Sequence, residues 1–229
     1  MTPALTPWLS PLVALVVLTA GVYLSWSLDR WIGAIVASRR LDLGSVLSEP
    51  IFEGARLAVG YRTRTERPDR VTWALASALL GAVAATGLAT VPLSGSLAVA
   101  DVPGGIVLFG AAIAMVMVAV FLQGWSANSV FPLIGGYRFV ALALSFEMPL
   151  ALVLIAAALP AESLQVGEIV RSQAELWNVV RQPLGLPIYM VAVLGASFWG
   201  PLAFPDAPDL AGGTTAEVSG PALLVWTVA

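Results

Sequence analysis

The stretch VPGGIVLFGAAIAMVMVAVFLQGWSANSVFPLIGGY, from Val102 to Tyr137, contains no charged residue. A helix of about 20 apolar residues is long enough to cross the hydrocarbon core of a bilayer, since each residue adds about 1.5 Å. Three further charge-free stretches are long enough for the same purpose: Met1 to Leu28, Val71 to Ala100 and Gln182 to Pro205. This pattern predicts an all-α, polytopic membrane protein.

The composition agrees with a lipid environment. The chain is 59% hydrophobic and 11% charged, whereas about a quarter of the residues of a soluble domain are charged. It contains no cysteine and no histidine, so it lacks the usual ligands of haem, iron–sulfur clusters and catalytic zinc. We therefore expect no metal site, and any redox chemistry must use a diffusible molecule or the cofactors of a partner. The net charge of −3 predicts no nucleic-acid partner.

The charge-free stretches and their turn residues predict five full transmembrane helices within one membrane domain, 1–229. They are placed near 8–28, 71–93, 105–123, 137–159 and 184–202. No charge precedes Asp29, so the first is interpreted as a retained helix and not as a signal peptide. A sixth helix is expected to begin near Pro221 and to be cut off at Ala229, which suggests a fragment or one half of a split subunit.

The arginines predict the orientation. Eight of the eleven lie between the first two predicted spans: Arg30, Arg39, Arg40, Arg56, Arg62, Arg64, Arg67 and Arg70. Loops rich in arginine remain on the cytoplasmic side. We therefore expect cytoplasmic loops at 29–70, 124–136 and 203–220, and a multi-pass protein of the cell membrane with its N-terminus outside.

The first of these loops has a helical pattern. Four apolar residues recur at helical spacing, and three charged residues lie off their stripe: Leu47, Ile51, Ala55 and Ala58 against Glu49, Glu53 and Arg56. Such a pattern is typical of an amphipathic helix lying in the membrane interface. A solvated basic loop that only sets the orientation is the alternative.

Two acidic residues stand out near or within the spans. Glu147 falls near the middle of a predicted span, where an ionisable side chain usually has a function. Pro149 follows it and frees a backbone carbonyl about one turn earlier. Glu147 can therefore carry a proton, or simply form a hydrogen bond to a neighbouring helix. Asp29 ends the first span beside Arg30, as part of either a proton path or a helix-end charge pair.

The segment from Phe198 to Gly220 combines three prolines, a pair of glycines and three acids: Pro201, Pro205, Pro208, Gly212, Gly213, Asp206, Asp209 and Glu217. No helix can run through it. We expect a structured loop against the membrane, because irregular backbone at a membrane edge usually lines a cavity.

Several segments together resemble a known family. They are GWSANSVFPLIGGYRFVALALSFEMPL (124–150), EIVRSQAELWNVVRQPLG (168–185), LDRWIGAIVASR (28–39) and EPIFEGARL (49–57). In this order and at this spacing they are similar to segments of the H subunit of bacterial NADH-quinone oxidoreductase, respiratory complex I. In that family the protein lies between the peripheral redox arm and the membrane arm.

The resemblance implies roles for individual residues. Glu147 and Asp29 match proton-coupling carboxylates. The residues that match the quinone chamber are Arg30, Glu53, Arg56, Arg138, Pro201, Asp206, Asp209 and Glu217. It also implies quinone as the substrate, the lipid bilayer as surroundings, and peripheral quinone-site and iron–sulfur subunits with small membrane subunits as partners.

The chain departs from the family pattern at one place. The family's E-T-N-R-A-P-F-D-L-P is ASFWGPLAFP here, from Ala196 to Pro205, so a glutamate, an arginine and an aspartate are missing. Three other interpretations therefore stay open: the membrane subunit of an energy-converting hydrogenase, a secondary transporter with a carboxylate near the middle of the membrane, and an inactive scaffold.

Overall fold

The computed structural model describes residues 9–36, 43–63, 65, 67–94, 97–198 and 200–228. Their helices are α1 Leu9–Val36, α2 Leu43–Val59, α3 Arg70–Thr90, α4 Gly105–Ser126, α5 Val130–Ala158, α6 Val166–Arg171, α7 Asn178–Arg181, α8 Gly185–Ala196 and α9 Pro221–Val228. Two short strands, β1 Pro92–Ser94 and β2 Leu97–Ala98, pair antiparallel. Four 3-10 turns follow α5 and α8: Leu159–Ala161, Gly200–Leu202, Pro208–Leu210 and Gly213–Thr215.

Within the described residues, α1, α3, α4 and α5 are long and apolar enough to cross a membrane. Their outward side chains are apolar and exposed, among them Leu15, Leu75, Val107 and Leu152. A water-soluble protein rarely presents so much apolar surface. These helices are consistent with a polytopic membrane protein.

The fifth predicted span differs from the structure. Helix α8 has 12 residues, about 18 Å at 1.5 Å per residue, whereas the prediction was a full span over 184–202. The chain leaves the helix because Phe198 has φ 41° and Gly200 has φ 62°, and a helix cannot continue through such dihedrals. The described residues therefore contain four helices of spanning length and not five.

The second difference concerns 124–136, predicted as a loop. Helix α5 begins at Val130, so only 127–129 lie outside a helix. Asn128 has φ 50° and Ser129 is extended, which makes the turn between α4 and α5 very tight. The fourth span was predicted to begin at residue 137, beside Arg138. In the structure the Arg138 guanidinium has an acidic partner, so its charge does not end the helix.

The bounds of the other helices differ less from the predicted ones. Helix α1 continues to Val36 beyond the predicted limit at residue 28, and the helix expected in the first loop is α2. The β1–β2 hairpin follows α3, and its two strands are the only strands among the described residues of a fold that was predicted to be all-α. Three arginines used to predict the orientation, Arg39, Arg40 and Arg64, lie outside the described residues.

The helices pack in the order α1, α3, α4, α5 and α8, and α9 lies against α2 and α3. The core contains Ala76, Val120, Phe139 and Trp226, one from each of α3, α4, α5 and α9. Phe198 packs edge-to-face on Phe139 with ring centroids 5.3 Å apart. Of the loops that follow α2 and α8, the second contacts this core through Phe198.

These loops meet at one end of the helix bundle. The Asp69 N–H donates to the Ser126 carbonyl at 2.9 Å, and the Thr63 N–H donates to Ser219 Oγ at 2.7 Å. We call this the arginine-rich end, defined by 60–63, 65, 67–70, 126–129 and 203–220. The hairpin and α6 lie at the opposite end, where the Ile106 N–H donates to the Leu164 carbonyl at 3.1 Å.

Candidate functional site

Helices α1, α2 and α9 line an open cavity of about 300 Å³, which we call the α1–α2–α9 cavity. Four of the residues predicted to have a function line it: Asp29, Arg30, Glu53 and Arg56. Apolar and small polar side chains complete the wall: Trp26, Pro50, Leu57, Leu223 and Thr227. Residues distant in the sequence therefore converge on one space.

Helix α2 is held on α1 by two kinds of contact. Tyr23 Oη donates a hydrogen bond to the Leu47 carbonyl at 2.7 Å. This carbonyl lies three residues before Pro50, which is buried inside α2. The Trp26 ring of α1 also lies close to the α2 backbone, since a Cβ added at Gly54 would be in ordinary van der Waals contact with it, at 3.7 Å. Pro50 and Trp26 thereby come to line the same cavity.

Both arginines of the α1–α2–α9 cavity have acidic neighbours. Arg30 Nε lies 3.5 Å from a Glu49 carboxylate oxygen, and Arg56 Nη2 lies 2.6 Å from Glu53 Oε1. The Glu53 side chain is 31% exposed and that of Arg56 is 75% exposed. Each guanidinium carries five N–H donors, so donors remain for a polar ligand. Trp26 and the aliphatic side chains offer contacts to an apolar one.

The outer face of α2 is apolar and uncovered. Leu47, Ile51 and Phe52 are 53%, 64% and 71% exposed. On the same helix, Val46 and Pro50 are buried. The stripe fits a helix that lies in a membrane interface.

A second group of predicted residues fixes the loop 203–220. Arg138 on α5 donates two hydrogen bonds to Asp209, from Nη1 at 3.0 Å and Nη2 at 2.7 Å. The hydrogen bond from Arg138 lowers the pKa of Asp209 below its ordinary value. Such a bidentate pair has a defined geometry. It ties the loop to α5 and leaves neither side chain in the α1–α2–α9 cavity.

Asp206 lies inside the same loop. Burial raises its pKa above the ordinary value, although hydrogen bonds from the Thr214 hydroxyl and from the Thr214 and Thr215 backbone lower it in part. Thr214 is fully buried. Asp206 and Thr214 therefore act as an internal brace of the loop.

A close backbone contact holds the part of the loop around Pro205 and Thr214 against α5. A Cβ added at Gly135 would overlap the Pro205 carbonyl oxygen and lie 2.9 Å from the Thr214 nitrogen. The Thr214 N–H in turn donates to the Pro205 carbonyl at 3.1 Å. Because position 135 has no side chain, the loop can lie directly on the α5 backbone.

The remaining predicted residues lie apart from the α1–α2–α9 cavity. Glu217 accepts a hydrogen bond from Ser129 Oγ at 3.2 Å. The backbone of Pro201 lies in the turn Gly200–Leu202. Glu147 is half-buried on the wall of a cavity of about 290 Å³ between α4 and α5, otherwise lined by apolar residues that include Phe139 and Leu150. The predicted residues thus fall into separate groups.

Several side chains at these places were missed by sequence reasoning. Glu49, noted only as lying off the apolar stripe, pairs with Arg30. Tyr23 and Thr214 carry no signal in the sequence, because their partners are not marked by any local pattern. Gln123 is fully buried and its amide atoms have no hydrogen-bond partner among the described residues. In the sequence, Gln123 could have been identified as an amide side chain within a predicted span.

Metal binding has no support in the part of the chain that the structure describes, since no three or more histidine, cysteine, aspartate or glutamate side chains are grouped to hold an ion. The donors around the α1–α2–α9 cavity are arginines beside carboxylates. They suit a polar organic group better than a cation.

Comparison with known proteins agrees with the resemblance. A family profile described as NADH dehydrogenase matches residues 9–229. The H subunit of NADH-quinone oxidoreductase from Brevibacillus brevis is 29% identical over 210 residues, which are 91% of this chain and 62% of that protein. The proteins of the same name from Bacillus mycoides and Anoxybacillus flavithermus are 31% and 29% identical over 66% and 76% of this chain, and over 46% and 53% of their own lengths.

The chain thus spans between about half and three fifths of the curated relatives it matches. The profile, in contrast, covers nearly all of this chain, including α1, α2, the loop 203–220 and α9. The relatives and the profile agree with each other and with the ordered segments of the sequence. The chain therefore belongs to the NADH dehydrogenase family and is similar to the H subunits of bacterial NADH-quinone oxidoreductases.

Proposed function

We propose that this chain is a membrane subunit of a proton-translocating NADH-quinone oxidoreductase of the complex I type, in which it helps to form the quinone chamber. The observation that carries the proposal is the convergence of Asp29, Arg30, Glu53 and Arg56 on the α1–α2–α9 cavity. The names of the relatives support the same activity.

The cavity suits a quinone in size and polarity. Ligand pockets usually range from about 300 to about 1,000 Å³, with apolar walls and a few polar groups, and this one is about 300 Å³. Free guanidinium donors can hydrogen-bond the carbonyl oxygens of a quinone head. Trp26, Leu57 and Leu223 can contact its ring and the first part of its tail. The exposed apolar face of α2 then leads towards lipid.

The loop residues have a different role in this proposal. Arg138 and Asp209 bind each other, and Asp206 is bound by Thr214. Because their polar atoms are occupied, they act as positioning residues that hold the loop 203–220 at the arginine-rich end. Glu217 and Pro201 belong to the same region, where partner subunits of the peripheral arm would dock. This end would face the cytoplasm, with the N-terminus outside the cell membrane.

Glu147 and Asp29 would carry protons. Glu147 lies in an apolar cavity between α4 and α5, where a carboxylate is costly unless it is protonated or solvated. Asp29 lies on the wall of the α1–α2–α9 cavity beside Arg30. A change in the charge of the quinone would therefore affect Asp29 first, and Glu147 would act further along the route of proton transfer.

Replacement of Arg56 tests the proposal in membranes that contain the assembled complex. Arg56→Gln should raise the KM for quinone about tenfold, because a hydrogen-bond donor worth roughly 1.5 kcal/mol is lost. Electron transfer from NADH to a water-soluble acceptor should not change. Arg171 forms the same kind of i,i+3 pair with Glu168 at the opposite end, so Arg171→Gln is the matched control. The absence of any quinone-dependent activity in the parent complex would overturn the proposed function.

A further inference from the structure

The end of α2 and the start of α9 meet at the arginine-rich end. Helix α2 ends at Val59 and α9 begins at Pro221, so Gly60 and Gly220 lie just outside the two helices. A Cβ added at Gly220 would lie 2.7 Å from the Gly60 carbonyl oxygen, and one added at Gly60 would lie 3.3 Å from the Gly220 Cα. The two backbones therefore touch, with no side chain between them.

A side chain at position 220 would separate the two helices. Gly220 has φ 61°, a left-handed conformation that glycine adopts without steric cost. A methyl group there would meet the carbonyl oxygens of Gly60 and Tyr61, at 2.7 and 2.9 Å. Both oxygens belong to the backbone and cannot rotate away. The start of α9 would therefore have to move away from the end of α2.

The hydroxyl of Ser219 joins the same two segments by hydrogen bonds. Ser219 Oγ accepts from the Thr63 N–H at 2.7 Å and donates to the Tyr61 carbonyl at 3.0 Å. A hydroxyl has one proton to donate, so the Thr63 hydroxyl, 2.7 Å from Ser219 Oγ, is the donor of a third bond. We call Gly60, Tyr61, Thr63, Ser219 and Gly220 the α2–α9 clasp.

The clasp lies about one helical turn from the wall of the α1–α2–α9 cavity. Leu57 on α2 and Leu223 on α9 both line that cavity. Backbone hydrogen bonds connect the clasp to both helices: the Gly60 N–H donates to the Leu57 carbonyl at 3.3 Å, and the Leu224 N–H donates to the Gly220 carbonyl at 3.1 Å. A displacement at the clasp therefore moves the α2 wall relative to the α9 wall.

The separation of these walls affects how tightly the cavity holds a ligand. A gap of about 0.5–1 Å removes roughly a quarter to a half of the dispersion attraction between two surfaces. Trp226 packs α9 into the core of the bundle, and the clasp fixes the start of the same helix against α2. A ligand that touches both walls would lose contacts if the clasp opened.

We propose that the α2–α9 clasp sets the separation of α2 and α9, and thereby the affinity of the α1–α2–α9 cavity for quinone. Its members are positioning residues, since none of them is among the described residues that line the cavity. This role rests on the proposed function, which supplies quinone as the ligand. Because Ser219 and Gly220 end the loop 203–220, the loop influences quinone binding through the clasp without touching the quinone.

A reversible disulfide tests the clasp in membranes that contain the assembled complex. The chain has no cysteine, and the hydroxyl oxygens of Thr63 and Ser219 are 2.7 Å apart, so Thr63→Cys/Ser219→Cys brings two sulfurs within bonding reach. The oxidised variant should have the KM for quinone of the parent. Reduction with dithiothreitol should raise the KM about fivefold at unchanged kcat, because thiols form only weak hydrogen bonds and the walls separate. The parent complex, treated with the same reagents, controls for the cysteines of other subunits.

Gly220→Ala opens the clasp without cysteine chemistry. It should raise the KM for quinone at least about fivefold, by the same loss of contacts. Gly200→Ala is the matched control, because Gly200 has φ 62° but nothing lies within 4 Å of a Cβ there. Its KM should equal that of the parent. In every variant the NADH-oxidising activity should sediment with the membranes, which shows that the peripheral arm stays attached.

Three results would overturn the role of the clasp. The first is failure of Thr63→Cys/Ser219→Cys to form a disulfide, since the two residues would then not be in contact. The second is an equal KM for the oxidised and the reduced form of this variant. The third is an equal KM for Gly220→Ala and Gly200→Ala. The absence of quinone-dependent activity in the parent complex would instead overturn the proposed function, so the two failures are distinguishable.

Discussion

Arg138 and Asp209, 71 residues apart in the sequence, form a bidentate pair with N···O distances of 3.0 and 2.7 Å. The pair connects the first third of α5 to the loop 203–220. Both side chains are partly exposed, so the pair defines the position of the loop more than it stabilises the fold. This relationship separates residues that position the chamber from residues that line it.

If the pair positions the loop, its two members act as one unit. Arg138→Ala and Asp209→Ala should each lower quinone reduction several-fold by raising the KM for quinone. The double variant should be no worse than the more damaging single variant. Initial rates of quinone reduction in membranes, measured over a range of quinone concentrations, give the KM of each variant. Additive losses would show that the two residues act separately and would contradict the positioning role.

Gly135→Ala should destabilise the protein by roughly 1–3 kcal/mol. The new methyl group would overlap the Pro205 carbonyl, which is backbone and cannot rotate away. Thermal unfolding of the purified chain in detergent measures the change. Gly21→Ala on α1 is the matched control, because nothing lies within 4 Å of a Cβ there. Equal unfolding temperatures for both variants would show that the loop does not pack on α5.

Asp206 should make stability depend on pH. Burial raises its pKa in the folded chain above the ordinary value of 3.8, so the folded state binds more protons than the unfolded state between these two values. Stability should therefore fall as pH rises through this window.

Asp206→Asn should remove this fall, because the amide stays neutral. Unfolding temperatures of the parent chain and the variant, from about pH 4 to about pH 8, measure this change of stability with pH. Asp209→Asn is the contrast: the pKa of Asp209 is lowered, so its contribution is lost only as pH falls below the ordinary carboxyl range. A slope that persists in Asp206→Asn would assign the pH dependence to another group.

Glu147→Gln should uncouple proton transfer from electron transfer. The amide preserves the shape of the side chain in its apolar cavity but cannot release a proton. In proteoliposomes of the assembled complex, quinone reduction should continue while the number of protons translocated per quinone falls. Ser145→Ala, an exposed change two residues away on α5, should leave this ratio unchanged. Full translocation by Glu147→Gln would contradict the role of Glu147.

Hydropathy was sufficient to predict the membrane class and the helices α1, α3 and α4. It misplaced the start of α5, because a charged residue within a helix looks like a span end until its partner is known. Arg138 is such a residue, and Asp209 cannot be identified as its partner from spacing. The early end of α8 depends on the left-handed conformation of Phe198, which no local pattern predicts for an aromatic residue.

For the candidate site, too, the residues could be predicted from the sequence but their arrangement in space could not. Asp29, Arg30, Glu53 and Arg56 were selected one by one from their resemblance to family segments, but only the packing of α2 on α1 brings them around one cavity. The contribution of Tyr23 to that packing is a hydrogen bond to a backbone carbonyl, which leaves no trace in the sequence.

Photolabelling of the assembled complex with an azido-quinone tests the central claim most directly. The account predicts that label is incorporated into peptides of α1, α2 and α9 around Trp26, Glu53 and Leu223, and that excess natural quinone prevents it. Labelling confined to other subunits, or to the loop 203–220 without competition by quinone, would contradict the assignment of the α1–α2–α9 cavity as part of the quinone chamber.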